Sequence, residues 1–213
     1  VTAPTVTSVS STVDNGTYGI GSVIPITVTF DESVIVTDTP QLTLETGDTD
    51  AVVDYSSGSG SSILTFNYTV AAGHISADLD YTSTTALALN GGTIKDAAGN
   101  TATLTLVSPA ATNSLGANKD IVIDGIPIWY IEISGSDSNE GFSSSSPFAT
   151  IQKGINSASS GDTILVYAGT YTENIDYGGK NVVVKSQSGP SSTILYPSNN
   201  AQPIVYFHTS ETS

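Results

Sequence analysis

Asp124-Gly125-Ile126-Pro127 divides the chain into two kinds of sequence. Glycine and proline are the strongest local punctuation in a polypeptide, and here they coincide with a change of hydrophobic period. Before the break the apolar residues alternate. Ile24, Ile26, Val28 and Phe30 are separated by Pro25, Thr27 and Thr29, and Leu64, Phe66, Tyr68 and Val70 by Thr65, Asn67 and Thr69. A period of two predicts strands with one buried face. After the break, Phe148, Ile151, Ile155 and Ala158 fall at helical spacing, with Ser146 as the expected N-cap, Pro147 in the first turn and Gly161 as the stop.

Working outward on the N-terminal side, shorter strands are expected at Thr5–Val9, Gln41–Glu45, Ala51–Tyr55, Thr103–Val107 and Asp120–Asp124. They are separated by turn signals such as Asp14-Asn15-Gly16, Asn90-Gly91-Gly92 and Ala98-Gly99-Asn100. Seven or so short strands with such turns predict an antiparallel Greek-key sandwich over residues 1–125. On the C-terminal side, strands are expected at Thr163–Tyr167, Tyr171–Ile175, Asn181–Ser186, Thr193–Tyr196 and Pro203–His208. Repeats of roughly 20 residues suit the coils of a parallel β-helix, each burying its face on the next. The expected fold class is therefore all-β: a sandwich over 1–125, then over 126–213 a short parallel β-helix of about two coils, capped by one α-helix.

Composition sets the environment. The formal charge is −15, from 20 Asp and Glu against five Lys and no Arg. Residues 1–125 hold 13 of the acids and two Lys, and residues 126–213 hold seven and three. Such a field repels polyanions, which excludes nucleic acid and anionic membrane as partners and favours calcium. There is no Cys and no Met, so no disulfide framework stabilises the chain. No apolar run approaches the ~20 residues that span a bilayer. The N-terminus lacks the basic and apolar regions of a signal peptide, as expected of a processed or excised piece.

The order of pieces in the first half resembles the bacterial Ig-like repeats found in tandem in large surface adhesins. The resemblance is carried by Ala3-Pro4-Thr5-Val6, Ile26–Glu32, Leu42–Glu45, Leu64–Val70, Ala86–Gly92, Ile94–Asn100 and Ile121–Gly125. It implies a spacer or adhesive unit at the cell surface, stiffened by calcium and flanked by neighbouring domains or subunits of the same protein. The second half is similar to the N-terminal cap and first coil of pectate-lyase-like right-handed β-helix proteins. Gly135–Gly141, Ser146–Ile155, Gly161–Val166 and Gly169–Ile175 carry that likeness. It implies the fold rather than an activity, because enzymes and purely structural proteins share it, and the enzymes' catalytic groups would lie on coils beyond Ser213.

The expected calcium ligands are Asp31 and Glu32 at the close of a strand, Asp96 and Asn100 around a tight turn, and Asp120 and Asp124 at the module's exit. The Asp96–Asn100 pattern serves an ion or an Asx turn equally in kind. Asp48, Asp50, Asp78 and Asp80 rank behind them. Asp137-Ser138-Asn139-Glu140-Gly141 has part of a calcium loop's spacing without the closing bidentate Glu. No catalytic constellation appears: His74 and His208 are lone histidines in different halves, and Lys153, Lys180 and Lys185 are scattered. Trp129, Tyr130, Tyr167, Tyr171, Tyr177, Tyr196 and Tyr206 suit either packing or stacking on a polysaccharide. The expected function is a non-enzymatic structural or adhesive module of an extracellular protein. Its alternatives are the front end of a polysaccharide-active enzyme and a filament subunit joined through open strand edges.

Overall fold

The computed structural model describes residues 2–207. It is all-β with curled sheets, 41% strand and 5% helix. Two compact units make up the chain, Val1–Gly125 and Ile126–Ser213. His208, and with it the end of the strand expected at Pro203–His208, lies outside the described residues.

The first unit runs β1 (Val6–Ser11), β2 (Gly16–Gly19), β3 (Val23–Thr37), β4 (Gln41–Leu44), β5 (Ala51–Ser57), β6 (Ser61–Thr69), β7 (Ile75–Ser76), β8 (Leu87–Ala88), β9 (Thr93–Lys95), α1 (Leu115–Asn118) and β10 (Ile121–Asp124). Seven strands form one sheet in the order β1-β3-β6-β5-β4-β8, with β9 added on β3, and β2-β10-β7 form a second. Ile24, Ile26, Val28, Leu64 and Phe66 have no exposed surface, as their alternation requires. Each such burial contributes about 1.5–3 kcal/mol against an exposed side chain. Ile121 and Ile123 of the small sheet join them in one core, so the two sheets enclose the same apolar interior.

Two expectations need correcting here. Asp31 and Glu32 do not close a strand: β3 continues through them to Thr37, and its register on β6 slips between Thr29 and Val34. No strand forms at Thr103–Val107. Thr103 donates to the Pro4 carbonyl and Leu106 to the Thr84 carbonyl, so the segment's backbone bonds go to two different neighbours and no ladder develops.

The second unit runs β11 (Ile128–Ile131), α2 (Ile151–Ser157), β12 (Thr163–Val166), β13 (Gly169–Thr172), β14 (Ile175–Asp176), β15 (Val183–Ser186), β16 (Thr193–Tyr196) and β17 (Val205–Tyr206). Among the described residues all its ladders are parallel: β11-β12-β15, β13-β16 and β14-β17. Ile164 lies opposite Val184, Gly169 opposite Thr193 and Ile175 opposite Val205. Val205 is therefore in register with Ile175, not with Val183 as the spacing alone suggests.

The helix starts later than its sequence signals indicate. Phe148 is held extended as a rung on β11, donating to the Tyr130 carbonyl and accepting from Glu132 N–H at 2.9 Å each. Thr150, not Ser146, is the N-cap, and its hydroxyl accepts from Lys153 N–H. The apolar stripe is nonetheless buried, with Phe148, Ile151, Ile155 and Ala158 all under 5% exposed. Gly154 makes this packing possible, because a Cβ there would sit 2.7 Å from Ile131 Cδ1.

Candidate functional site

The six expected calcium ligands are distributed, and the side chains of Asp31 and Asp96 are engaged in holding backbone amides. Asp31 takes Thr5 N–H on Oδ1 at 2.8 Å and the Thr5 hydroxyl on Oδ2 at 2.9 Å, while its own N–H donates to the Thr5 carbonyl. These bonds hold the Asp31 carboxyl below its ordinary value, the Thr5 backbone contact foremost. Asp96 is enclosed, and both its oxygens accept from Asn100, from N–H at 2.8 Å and from Nδ2 at 2.6 Å. The Asn100 side chain is the main cause of its lowered pKa. Asp120 accepts from Asn15 Nδ2 at 3.1 Å. Asp124 stands on β10 between Gly19 and Ile75, and Glu32 lies half-buried where β3 slips its register. The structure thus brings Asp96 to Asn100 but does not gather the six.

A different set of acids is drawn together. Loss of solvation and then the charges of Asp120 and Asp80 raise the Asp78 carboxyl, with the Ile121 backbone partly offsetting them. A Cβ placed on Gly116 would meet Asp80 Oδ2 at 3.0 Å and Asp78 Oδ2 at 3.3 Å, so both carboxylates face the same small space. Asp80 is already committed, accepting from Tyr81 and Ala110 N–H at 2.9 Å each. Among the described residues no group of three or more Asp, Glu or His is arranged to hold a metal ion. A calcium cage is therefore not assembled from protein carboxylates in this conformation.

The exit of the first unit is built differently from its other strands. β10 pairs parallel with β2, Ile121 opposite Gly16 through Asp124 opposite Gly19. On its other side it pairs antiparallel with β7. Gly125 then donates to the His74 carbonyl at 2.8 Å and accepts from Gly73 N–H at 2.9 Å. A side chain at Gly125 would collide with the Ala71 and His74 carbonyls at 2.5 and 2.4 Å, so the clasp requires glycine. His74 fixes the turn that does the clasping: its Nδ1 accepts from the Tyr68 hydroxyl at 2.9 Å and from Ala71 N–H at 3.3 Å. Burial pushes the Tyr68 phenol up to about 12, so it stays a donor.

In the second unit the helix ends are tied by charged side chains from remote positions. Asp137 accepts from Ala149 N–H, Thr150 N–H and the Thr150 hydroxyl. Glu173 accepts from Ile151 and Gln152 N–H at 2.9 Å each. The amides at the start of α2, which no intrahelical carbonyl can reach, are thereby satisfied by carboxylates on the favourable side of the dipole. At the other end Lys180 Nζ donates to the Ile155, Asn156 and Ala158 carbonyls at 2.7–2.9 Å. Gln152 completes the tie, donating to the Asp176 carbonyl and accepting from its N–H.

Residues 133–178, which hold most of these ties, match a family described as a protein of unknown function, DUF1565. That family is associated with β-helix-like repeat proteins. No curated protein and no solved structure matches the chain. The DUF1565 segment contains Asp137, α2, Gln152 and Glu173, and Lys180 follows it by two residues. Asp137 thus serves a turn and a helix start through its bonds to Ala149 and Thr150.

Trp129 is packed between Phe142 and Phe148, with ring centroids 4.3 and 5.7 Å away, and its indole donates to buried Asp162 at 2.8 Å. Tyr171 is likewise buried, its phenol pushed up to about 12 by desolvation and then by Glu132 and Glu173. Both side chains belong to the core. Tyr196 and Tyr206 are about half exposed. Sequence reasoning missed Glu173 and Lys180 as helix ties, because each acts on amides or carbonyls about 20 residues away and no local motif announces such a contact.

Proposed function

We propose that this chain is a load-bearing structural and adhesive module of an extracellular protein, not itself an enzyme. Its first unit is read as an Ig-like sandwich and its second as the capped start of a right-handed parallel β-helix. Two sheets around one core support the first reading, and parallel ladders throughout the described residues, with the DUF1565 match, support the second.

The observation that carries the proposal is the parallel pairing of β10, the exit strand, with β2, near the entrance. Tension from the N-terminal side reaches β2 through β1, which is itself held on β3, and tension from the C-terminal side enters at Asp124, so that across the β2–β10 pair the two pulls run along the strands in opposite directions. All rungs then resist together, whereas an antiparallel pair pulled from one end opens rung by rung. The Gly125 clasp adds two backbone bonds at the point where load enters.

Single-molecule pulling on residues 2–125 tests this. Gly16 donates to the Asp120 carbonyl, so alternation places the Val122 N–H on the β2 side of the ladder. Val122→Pro removes that donor. We expect the unit to unfold in one event, at a force that Val122→Pro clearly lowers. Equal forces in the two proteins would remove the argument for a load-bearing role.

Calcium enters the proposal as a stiffening ion whose candidate contacts are Asp78 and Asp80, the two carboxylates that face one space beside Gly116. Few protein ligands are available there, so weak binding is expected. A second reading, the filament subunit, is favoured by β15, β16 and β17. Each has one strand partner among the described residues, and Val183, Ile194, Tyr196 and Tyr206 beside them are exposed. Native mass distinguishes it, since a filament subunit gives a concentration-dependent series of oligomers and a spacer a single mass.

A further inference from the structure

The large sheet of the first unit contains a fork. β5 and β6 pair only at Tyr55 with Phe66 and Ser57 with Thr65. Below Tyr55 and Phe66 the strands part company: β5 pairs with β4 from Ala51 to Asp54, and β6 stays with β3 through Asn67 to Thr69. The edges that face each other across the fork follow from alternation. Tyr55 N–H donates to the Pro40 carbonyl, so Val52 and Asp54 turn their backbone groups away from β4 and toward β6. Val70 N–H donates to the Ser22 carbonyl, so Asn67 and Thr69 turn theirs toward β5. The Tyr55–Phe66 pair is closed by a bond from Asn67 N–H to the Asp54 carbonyl, and beyond it no ladder joins Val52 to Thr69 across the fork.

The space between the edges is a cavity of about 450 Å³, within the range of binding pockets. Its lining includes Asp50, Asp54, Asn67, Thr69 and His74. The side chains of Val52, Asp54, Asn67 and Thr69 point outward and are exposed, while Val53 and Tyr68 form the buried floor. The fork is therefore open to solvent and offers main-chain donors and acceptors on both walls. Asp50 and Asp54 add negative charge, no lysine lines it, and the unit carries 13 acids against two Lys. Such an edge disfavours a second copy of the same acidic chain, because like charges would meet.

We propose that the β5–β6 fork takes an extended, lysine- or arginine-bearing segment of a partner protein by strand addition. Main-chain bonds to Val52 and the Asp54 N–H on one wall, or to Thr69 and the Asn67 carbonyl on the other, supply the pairing, and the carboxylates of Asp50 and Asp54 select the charge. This deepens the adhesive part of the function proposed above and rests on it for the existence of a partner. The load-bearing part is tested by pulling, so failure here removes the peptide site alone.

The test is an NMR titration of the full ¹⁵N-labelled chain at physiological salt. The probe is a capped octapeptide of alternating lysine and valine, and the control is the same peptide with each valine replaced by proline. The expected result is saturable 1:1 binding, with shifts confined to Val52, Asp54, Asn67, Thr69, His74 and their sequence neighbours, and at least tenfold weaker binding of the control. Val52→Pro, which removes a donor facing the fork and none facing β4, should weaken binding tenfold or more with the melting temperature nearly unchanged. The paired Asp50→Asn and Asp54→Asn variant should weaken it as well, and serves if proline at 52 disturbs folding. The proposal is overturned if the probe does not bind at millimolar concentration, if control and probe bind alike, or if shifts spread over the whole acidic surface.

Discussion

The two units use opposite ladder chemistry, and they close their cores to different degrees. In the first, predominantly antiparallel strands and two sheets enclose a continuous core, and Ile24, Leu42, Leu64 and Phe66 are wholly buried. In the second, parallel strands stack along the chain, and burial fades toward the last coil. Ile164 on β12 has no exposed surface, whereas its neighbour across the ladder, Val184 on β15, is half-buried, as are Leu195 and Val205. A sheet that folds against another sheet finishes its own interior. Stacked parallel strands are covered only where another element lies over them, and here α2 packs on β11, β12 and β14.

Core truncation should break this comparison most visibly. Phe66→Ala removes a ring from the closed core and is expected to cost about 3–5 kcal/mol. Leu195→Ala, in the last coil, should cost well under half of that, because the site is already open to water. Calorimetry checks both, and a Leu195→Ala penalty equal to that of Phe66→Ala would mean that the final coil is as closed as the first unit.

Next come the helix ties. Glu173→Ala strands the Ile151 and Gln152 amides and should cost about 1–2 kcal/mol. Glu173→Gln keeps one acceptor and should cost less. Only the unfolding of the second unit should respond, read by the near-ultraviolet signal of Trp129, the single tryptophan. A loss confined to the first unit would contradict the bonds of Glu173 to Ile151 and Gln152.

The strands of largest hydrophobic amplitude were legible from sequence because a period of two survives any tertiary context that buries one face. β6, β10 and the start of β3 are therefore placed within a few residues, whereas β3 runs on past Phe30 to Thr37. The short β7, β8 and β9 have no period to read, being two or three residues long, and exist because a longer neighbour offers them an edge. The helix stripe was legible but its start was not. Ser146-Pro147 is a good local signal, yet the rung formed by Phe148 on β11 and the capture of Ala149 and Thr150 by Asp137 override it. The acids were visible as a population. Their roles depend on partners such as Thr5 for Asp31, 26 positions away, which local pattern does not encode.

The smallest expected effects are those of pH. Asp31 and Asp96 have lowered pKa values in the folded chain, so each adds stability above the unfolded carboxylate range, and this is lost as pH falls through the lower, folded value. Asp31→Asn and Asp96→Asn should lower the melting temperature of the first unit at pH 7, with the difference shrinking toward pH 3. Asp78 has the opposite sign. Its raised value means that the ionised form opposes folding, so stability falls as pH rises from the unfolded value through the folded one. Asp78→Asn should raise the melting temperature slightly at pH 7 in EDTA and blunt any further rise produced by excess calcium. A calcium response unchanged by Asp78→Asn would place the ion elsewhere.

The central claim is that the first unit is braced against tension by the β2–β10 shear pair, while the second, less completely buried, yields at lower force. Pulling the whole chain from its two ends reads this directly, because the units release different lengths, roughly 40 nm for the first and roughly 30 nm for the second on the extended-chain scale. The account predicts that the shorter release comes first and at lower force, and that the longer one follows as a single event. A longer release that precedes the shorter, or that breaks into small steps, would contradict it.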